Sequence, residues 1–359
     1  MLAPDFYGFY MKKLLILLLL IILGVAAFLF MSKPDLSQTS WNVTSKDSAN
    51  NTGDKLEKLT FSGPFAAVSD PLIRIMESGA LDDIAKEVTF KTWTNPDQMR
   101  ALALKGDVDF IATPTNVAAN LYNRGADIRL LNVSIWGVLW MVSRDDTLKT
   151  IADFKGKEIA MPFREDMPDI LFAKLAEESG LDAKKDFKIR YVANPLDAMQ
   201  LLITRRVDHA LLAEPAVSMA LRKTKSFPVK VIAPDLFRSA DIQEEWGRLL
   251  KRETRIPQAG MAVINKKLSK HVIQRFTEEY KKATQWCLEN PDEAGKIVAN
   301  RIEMLTPEAV SDSIKVSQFK DVSAVEAREE LEYFYNILHR KTPALIGGKL
   351  PDDGFYYQP

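Results

Sequence analysis

Cysteine is nearly absent. Cys287 stands alone in 359 residues, so no intrachain disulfide can form. A lone thiol tolerates an oxidising compartment when buried, and Cys287 follows Trp286 inside a helical pattern. We expect it in a core rather than as a nucleophile. Histidine is scarce too. His209, His271 and His339 lie far apart, with no H-x-x-x-H spacing and no cysteine partner, so no metal site is expected. His209 falls in an apolar run and is expected as a hydrogen-bonded core histidine. A charge excess of either sign is missing. Lys plus Arg and Asp plus Glu are 48 each, which argues against a nucleic-acid partner. No G-x-S-x-G and no Walker A sequence occurs, and Lys155-Gly156-Lys157 lacks the preceding glycine. No catalytic residue, no cofactor and no enzymatic activity is predicted.

A long apolar run occurs once. Lys12-Lys13 precede residues 14–31, which carry no charge. Basic residues followed by an apolar stretch signal export. The run spans 18 residues, above the roughly 7–15 of a signal-peptide core and near the lower limit of about 17 for crossing a bilayer. We expect an uncleaved anchor, with Val25-Ala26-Ala27 as the site of the alternative, a cleaved signal. The two lysines keep the N-terminus cytoplasmic and the body outside. Residues 1–10 add no export feature, which leaves Met11 as a second candidate start. No cysteine follows the run, so no lipid anchor is expected there. Residues 32–55, rich in Ser, Thr, Asn and Asp, read as a tether.

The body is organised around an echo. Residues 194–215, NPLDAMQLLITRRVDHALLAEP, repeat the plan of residues 95–114, NPDQMRALALKGDVDFIATP. Asn95-Pro96 answers Asn194-Pro195, and Val108-Asp109 answers Val207-Asp208. Both anchors keep the same offset of 99 residues. A good helix start followed by a turn explains one copy; the shared register at both ends argues for two similar units. In each, proline holds the preceding residue extended and then sits in the first helical turn. A short apolar run follows, Phe110-Ile111-Ala112 or Ala210-Leu211-Leu212, of the kind found in parallel sheets. Two α/β lobes follow from this, and ligands on open α/β sheets bind at the carboxyl ends of strands.

In chain order, residues 58–65 read as a strand ending in a Gly-Pro loop. Asp70 is expected to N-cap a helix with Pro71 in its first turn. Residues 137–143, GVLWMVS, read as a strand crossing between lobes, and 258–265 as the return. The hinge is expected near Ser143-Arg144 and Ile256-Pro257. Residues 229–233 are expected as the last strand of the second lobe, and the chain beyond the return as helical. The expected division is 1–31 export signal or anchor, 32–55 tether, 56–143 with 258–359 as lobe one, and 144–257 as lobe two.

The segments ADFKGKEIAMPF, VDHALLAEPAVSMAL and ATPTNVAANLYNRGADIRLLNV together resemble the solute-binding proteins of ABC importers of the nitrate, sulfonate/taurine and thiamine-precursor type. Asp153 to Lys157 matches the family's DLKGK-like turn, and Asp208 to Pro215 its VDA-apolar-EP motif. The resemblance implies the type II periplasmic-binding-protein fold: two α/β lobes, two hinge crossings and a ligand in the cleft, followed here by a helical C-terminal region. It implies a monomeric extracytoplasmic protein that passes a small solute to an ABC permease and ATPase. An enzyme on the same fold, of the pyrimidine-precursor or menaquinone-pathway type, is the alternative, and a membrane-tethered sensor a third reading. The export segment argues against the enzymes, which act in the cytosol. The sequence departs from the family where small residues usually cradle an anion. It has Arg164-Glu165-Asp166-Met167-Pro168 there, and acidic groups at a helix start repel a bound oxyanion.

Strand direction then nominates the ligand contacts. The first loop is Ser62-Gly63-Pro64-Phe65, where Gly63 allows close backbone approach or makes an ordinary turn. The second supplies Thr113, Thr115 and Asn116, which offer hydroxyls and N–H groups or simply cap the next helix. The third supplies Arg164, able to clamp an anion or to lie on the surface against Glu165, and Met167. Glu214 follows, as an acceptor for a ligand amine or as a cap. Trp136 is expected to stack on a planar ligand or to pack the hinge, and Gln258 opens the return crossing. With Glu165, Asp166 and Asp169 beside Glu214, the rim reads as acidic, which favours a planar or amine-bearing organic solute.

Overall fold

A computed structural model describes residues 55–359 except 234. The expected export segment and all but the last residue of the tether lie outside the described residues. Among the described residues no helix is long and apolar enough to cross a membrane.

The first segment alternates strands and helices: β1 (Leu59–Pro64), α1 (Asp70–Ser78), β2 (Val88–Trp93), α2 (Pro96–Lys105), β3 (Phe110–Pro114), α3 (Thr115–Asn123), β4 (Arg129–Leu130) and β5 (Asn132–Gly137). The second continues with β6 (Leu139–Ser143), β7 (Glu158–Pro162), α4 (Met167–Glu178), β8 (Lys188–Val192), α5 (Pro195–Ile203), β9 (His209–Ala213), α6 (Ala216–Lys225), α7 (Val229–Ile232), β10 (Phe237–Asp241) and α8 (Ile242–Leu250). The chain then returns through β11 (Ala259–Val263), α9 (Lys270–Glu289), α10 (Pro291–Arg301), α11 (Pro307–Val316), β12 (Gln318–Ser323) and α12 (Arg328–Lys341).

Two sheets result. One has seven strands in the order β12-β5-β11-β3-β1-β2, with β4 also on β11; the other runs β10-β6-β9-β7-β8. Strands β1, β2 and β3 are mutually parallel, as are β7, β8 and β9. The echo units occupy equivalent places. Asn95 and Asn194 are both extended N-caps, and each side chain accepts from the backbone N–H three residues on, Gln98 or Asp197, at 3.0 Å. The echo therefore rests on local capping chemistry.

Four expectations change. Residues 137–143 are not one strand: the ladder breaks at Val138, leaving β5 in the first sheet and β6 in the second. The first crossing is therefore at Val138 rather than near Ser143-Arg144. The second runs beside it, with the Ile256 N–H donating to Trp136 O at 2.8 Å and the Gln258 N–H to Ile135 O at 3.0 Å. Residues 229–232 form a helix despite their β-branched side chains, because Pro228 sits at its N-cap and tertiary context overrides propensity. The last strand of that sheet in chain order is β10 instead, paired on β6. Ser69, not Asp70, is the N-cap of α1; Asp70 is its first residue and is buried. Finally, β12 interrupts the C-terminal helices and closes the free edge of β5.

Buried apolar residues continue from one sheet to the other. One cluster joins Trp93, Ile111 and Val133 to Phe154, Met161 and Phe172, with Phe334 and Tyr335 of α12 inside it. His209 is buried, and its Nδ1 lies 2.9 Å from the Ser143 hydroxyl. Cys287 is buried in the first sheet's core, and burial pushes its thiol pKa up.

Candidate functional site

Parallel strands of both sheets end at one cavity of about 380 Å³. Pro64 closes β1, Trp93 closes β2, and Thr113-Pro114 close β3. Phe163 follows β7, Asn194-Pro195 follow β8, and Ala213 closes β9; all line the space. The cleft thus lies at the carboxyl ends of strands, the usual ligand position on open α/β sheets.

Of the expected contacts, Pro64, Phe65, Thr113, Met167, Glu214 and Gln258 line the cavity. Gln258 also holds the crossing. Its Oε1 accepts from the Val138 N–H at 3.1 Å and its Nε2 donates to Gln243 Oε1 at 3.1 Å. The Val138 carbonyl accepts from the Glu214 N–H at 2.9 Å, so both backbone groups of the crossing residue are held.

The other six do not line it. Ser62 and Gly63 do not line the cavity; a Cβ on Gly63 would meet Ser69 Oγ at 2.2 Å, so this glycine lets the end of β1 pack against the turn that follows it. Thr115 joins three segments. Its N–H donates to Gln258 O, its hydroxyl to Pro257 O at 2.6 Å, and its carbonyl accepts from Tyr335. Asn116 is buried against Asp166. Trp136 donates Nε1–H to Lys320 O at 2.8 Å and carries the Arg255 guanidinium over its ring, so it packs the crossing rather than a ligand. The Arg164 side chain is exposed, beside Glu165 at 3.6 Å and over Tyr191, and clamps nothing in the cavity.

Glu214 lines the wall, yet its carboxylate is already engaged. Oε1 accepts from Arg238 Nε at 3.0 Å and Nη2 at 2.7 Å, and Oε2 accepts from the Ser218 N–H at 3.0 Å. With the side chain fully buried, these bonds make it a cap and buttress of α6, in place of the expected amine acceptor.

The acidic rim also dissolves. Asp169 accepts from the Glu165 N–H at 2.8 Å and from the Tyr191 hydroxyl at 3.0 Å. Asp166 is the second carboxyl, besides Glu214, that lines the cavity. It caps α4 through the Met167 N–H at 2.9 Å and faces Arg100 Nη2 at 3.4 Å. Burial raises its pKa; the Met167 N–H, the Arg100 charge and the Asn116 amide oppose that rise.

Sequence reasoning missed most of the apolar wall: Trp93, Phe163, Leu139, Leu196, Met219 and Met304. The echo held part of the signal, because its Asn-Pro corners themselves reach the cavity through Pro96, Asn194 and Pro195. Phe163 has φ 57° and Glu165 φ 60°, left-handed conformations unfavourable for side-chain-bearing residues. Strain of this kind concentrates at ligand loops, and nothing in the sequence marks it.

Three comparisons bear on this geometry. The profile of a family described as ABC transporter, phosphonate, periplasmic substrate-binding protein matches residues 70–278. Among solved structures, an ABC transporter protein from Parabacteroides distasonis superposes with a TM-score of 0.65 at 22% identity, over 84% of this chain and 99% of that one. The periplasmic aliphatic sulphonate-binding protein SsuA from Escherichia coli gives 0.61 at 17%, over 84% and 92%. The periplasmic nitrate-binding protein NrtA from Synechocystis gives 0.59 at 14%, over 80% and 82%. At these identities the likeness shows the two-lobed fold. No curated protein matches the sequence.

Proposed function

The chain belongs to the family of ABC-transporter periplasmic substrate-binding proteins, and from that membership we propose that it captures a small organic solute in the inter-sheet cleft and delivers it to a permease and its ATPase. The observation that carries the reading is the cavity itself, walled by strand ends of both sheets and hinged at Val138 and residues 256–258. Closure of two lobes around a ligand is the transport-protein solution to capture and release. Pro64, Phe65, Thr113, Met167 and Gln258 are the proposed contacts from the expected set, joined by Trp93 and Phe163.

The finer reading places the chain in the nitrate/sulfonate/taurine group, as a monomer without enzymatic activity, held outside the cytoplasmic membrane by residues 14–31. The cavity's lack of a nucleophile–base arrangement among its described lining residues supports a binding role over catalysis. Full-length protein isolated from its native host is expected to release a small molecule on denaturation, detected by native mass spectrometry. That molecule should remain chemically unchanged on prolonged incubation. Its conversion by the protein would favour the enzyme reading instead.

A further inference from the structure

Resting on the solute-binding reading, and narrowing it, we propose that the cleft takes an uncharged, mostly apolar molecule of one or two rings and rejects phosphonates, sulfonates and other oxyanions. An oxyanion site needs cations or free N–H donors aimed at the ligand. Among the described residues lining the cavity none is Lys, Arg or His. The arginines just behind the wall are already engaged: Arg100 with Asp97 and Asp166, and Arg238 with Glu214 and Ser218.

Several first-turn donors of the helices around the cleft are also taken. Pro96, Pro168 and Pro195 each remove an N–H from a first turn. The Met167 N–H is held by Asp166, the Asp197 N–H by Asn194, the Ser218 N–H by Glu214 and the Thr115 N–H by Gln258 O. These four donors, of the kind a helix start offers an anion, are used within the chain itself. Asp166 adds an acidic group to the wall, and a second negative charge beside its carboxylate is unfavourable.

What remains open to a ligand is apolar: Phe65, Trp93, Leu139, Phe163, Met219 and Met304. Aromatic walls accept a ring by offset or edge contact, and methionines adapt to its outline. The Trp93 ring is fixed by its Nε1–H, which donates to Ala112 O at 3.2 Å. Both carboxyls in the wall face an arginine, so no uncompensated charge calls for a cationic ligand either.

A matched series isolates the head group: 2-naphthalenemethanol, 2-naphthalenesulfonate and 2-naphthylmethylamine, titrated calorimetrically into the full-length chain in lipid nanodiscs with empty discs subtracted. The alcohol is expected to bind at least tenfold tighter than the sulfonate and tighter than the amine. Met304 is 44% exposed, so Met304→Arg places a cation at the mouth with little risk to folding. It should tighten sulfonate binding at least fivefold, locating the probes in the cleft. Sulfonate binding as tight as the alcohol in the wild type, or an amine that binds tighter, overturns the proposal and leaves the solute-binding reading standing. Sulfonate binding unmoved by Met304→Arg overturns it as well. If no member binds either protein, the cleft reading and this proposal fail together.

Discussion

Glu214 sits where β9 meets α6, and three hydrogen bonds fix what its carboxylate does. Sequence alone expects Glu214→Gln to weaken ligand binding and spare the fold. The bonds to Arg238 and Ser218 predict the reverse emphasis. The amide retains the Ser218 contact and loses the charge opposite Arg238, and hydrogen bonds to charged groups contribute about 1.5–3 kcal/mol. Urea unfolding of Glu214→Gln should show a loss in that range, and an unchanged midpoint would return Glu214 to the ligand. A second residue gives a pH test. Burial raises the Asp321 carboxyl from 3.8 to about 6, with the Asn132 amide opposing the rise. Because the folded pKa lies above the unfolded one, ionisation favours unfolding. The stability Asp321 contributes is present below pH 4 and lost as pH rises to about 6. Two pKa units correspond to roughly 3 kcal/mol at most. Asp321→Asn should therefore match the wild type at pH 4 and melt higher above pH 6. Parallel melting curves across that range would count against it.

Elements built on local chemistry were legible in the sequence. Both Asn-Pro corners, their helices and the strands that follow form as the echo predicts, because cap and proline geometry depend on a few adjacent residues. Elements decided by distant partners were not. Residues 229–232 have strand propensity and fold as a helix, and β12 exists because β5 has an edge to pair. The site divides the same way. Strand ends named Pro64, Phe65 and Thr113, but Trp93, Phe163 and Met304 meet across more than two hundred residues of chain, and Arg238 claims Glu214 from 24 residues away. A different kind of hidden constraint lies in β11, between β3 and the β4–β5 pair. A Cβ on Gly260 would come 1.9 Å from the Asn132 carbonyl oxygen, a backbone atom with no room to yield. Gly260→Ala should cost about 3 kcal/mol, read as a lowered denaturation midpoint. Wild-type stability would mean that β5 can move away from β11.

For the whole molecule, contacts across the cleft decide how it closes. The two crossings, at Val138 and at residues 256–258, are the covalent links between sheets, and the remaining bridges are side chains. Arg222 on α6 meets Asp312 on α11 with two hydrogen bonds, Nε at 2.5 Å and Nη2 at 2.9 Å. Arg100 on α2 reaches Asp166 at the start of α4. The first pair is partly exposed, with side chains 47% and 34% accessible, so its contribution is that of a surface ion pair, about 0.2–1 kcal/mol. That is too little to hold the fold and enough to shift a two-state equilibrium up to about fivefold. The single native cysteine is buried, which leaves introduced thiols at the exposed Lys105 and Lys184 free for dye labelling. In the Lys105→Cys/Lys184→Cys background, Arg222→Glu should populate a longer inter-dye distance. Adding Asp312→Arg restores an opposite-charge pair and should return the shorter distance, with both shifts shrinking at high salt. An Arg222→Glu distribution identical to that of the parent would show that the crossings and the buried core alone set the opening of the cleft.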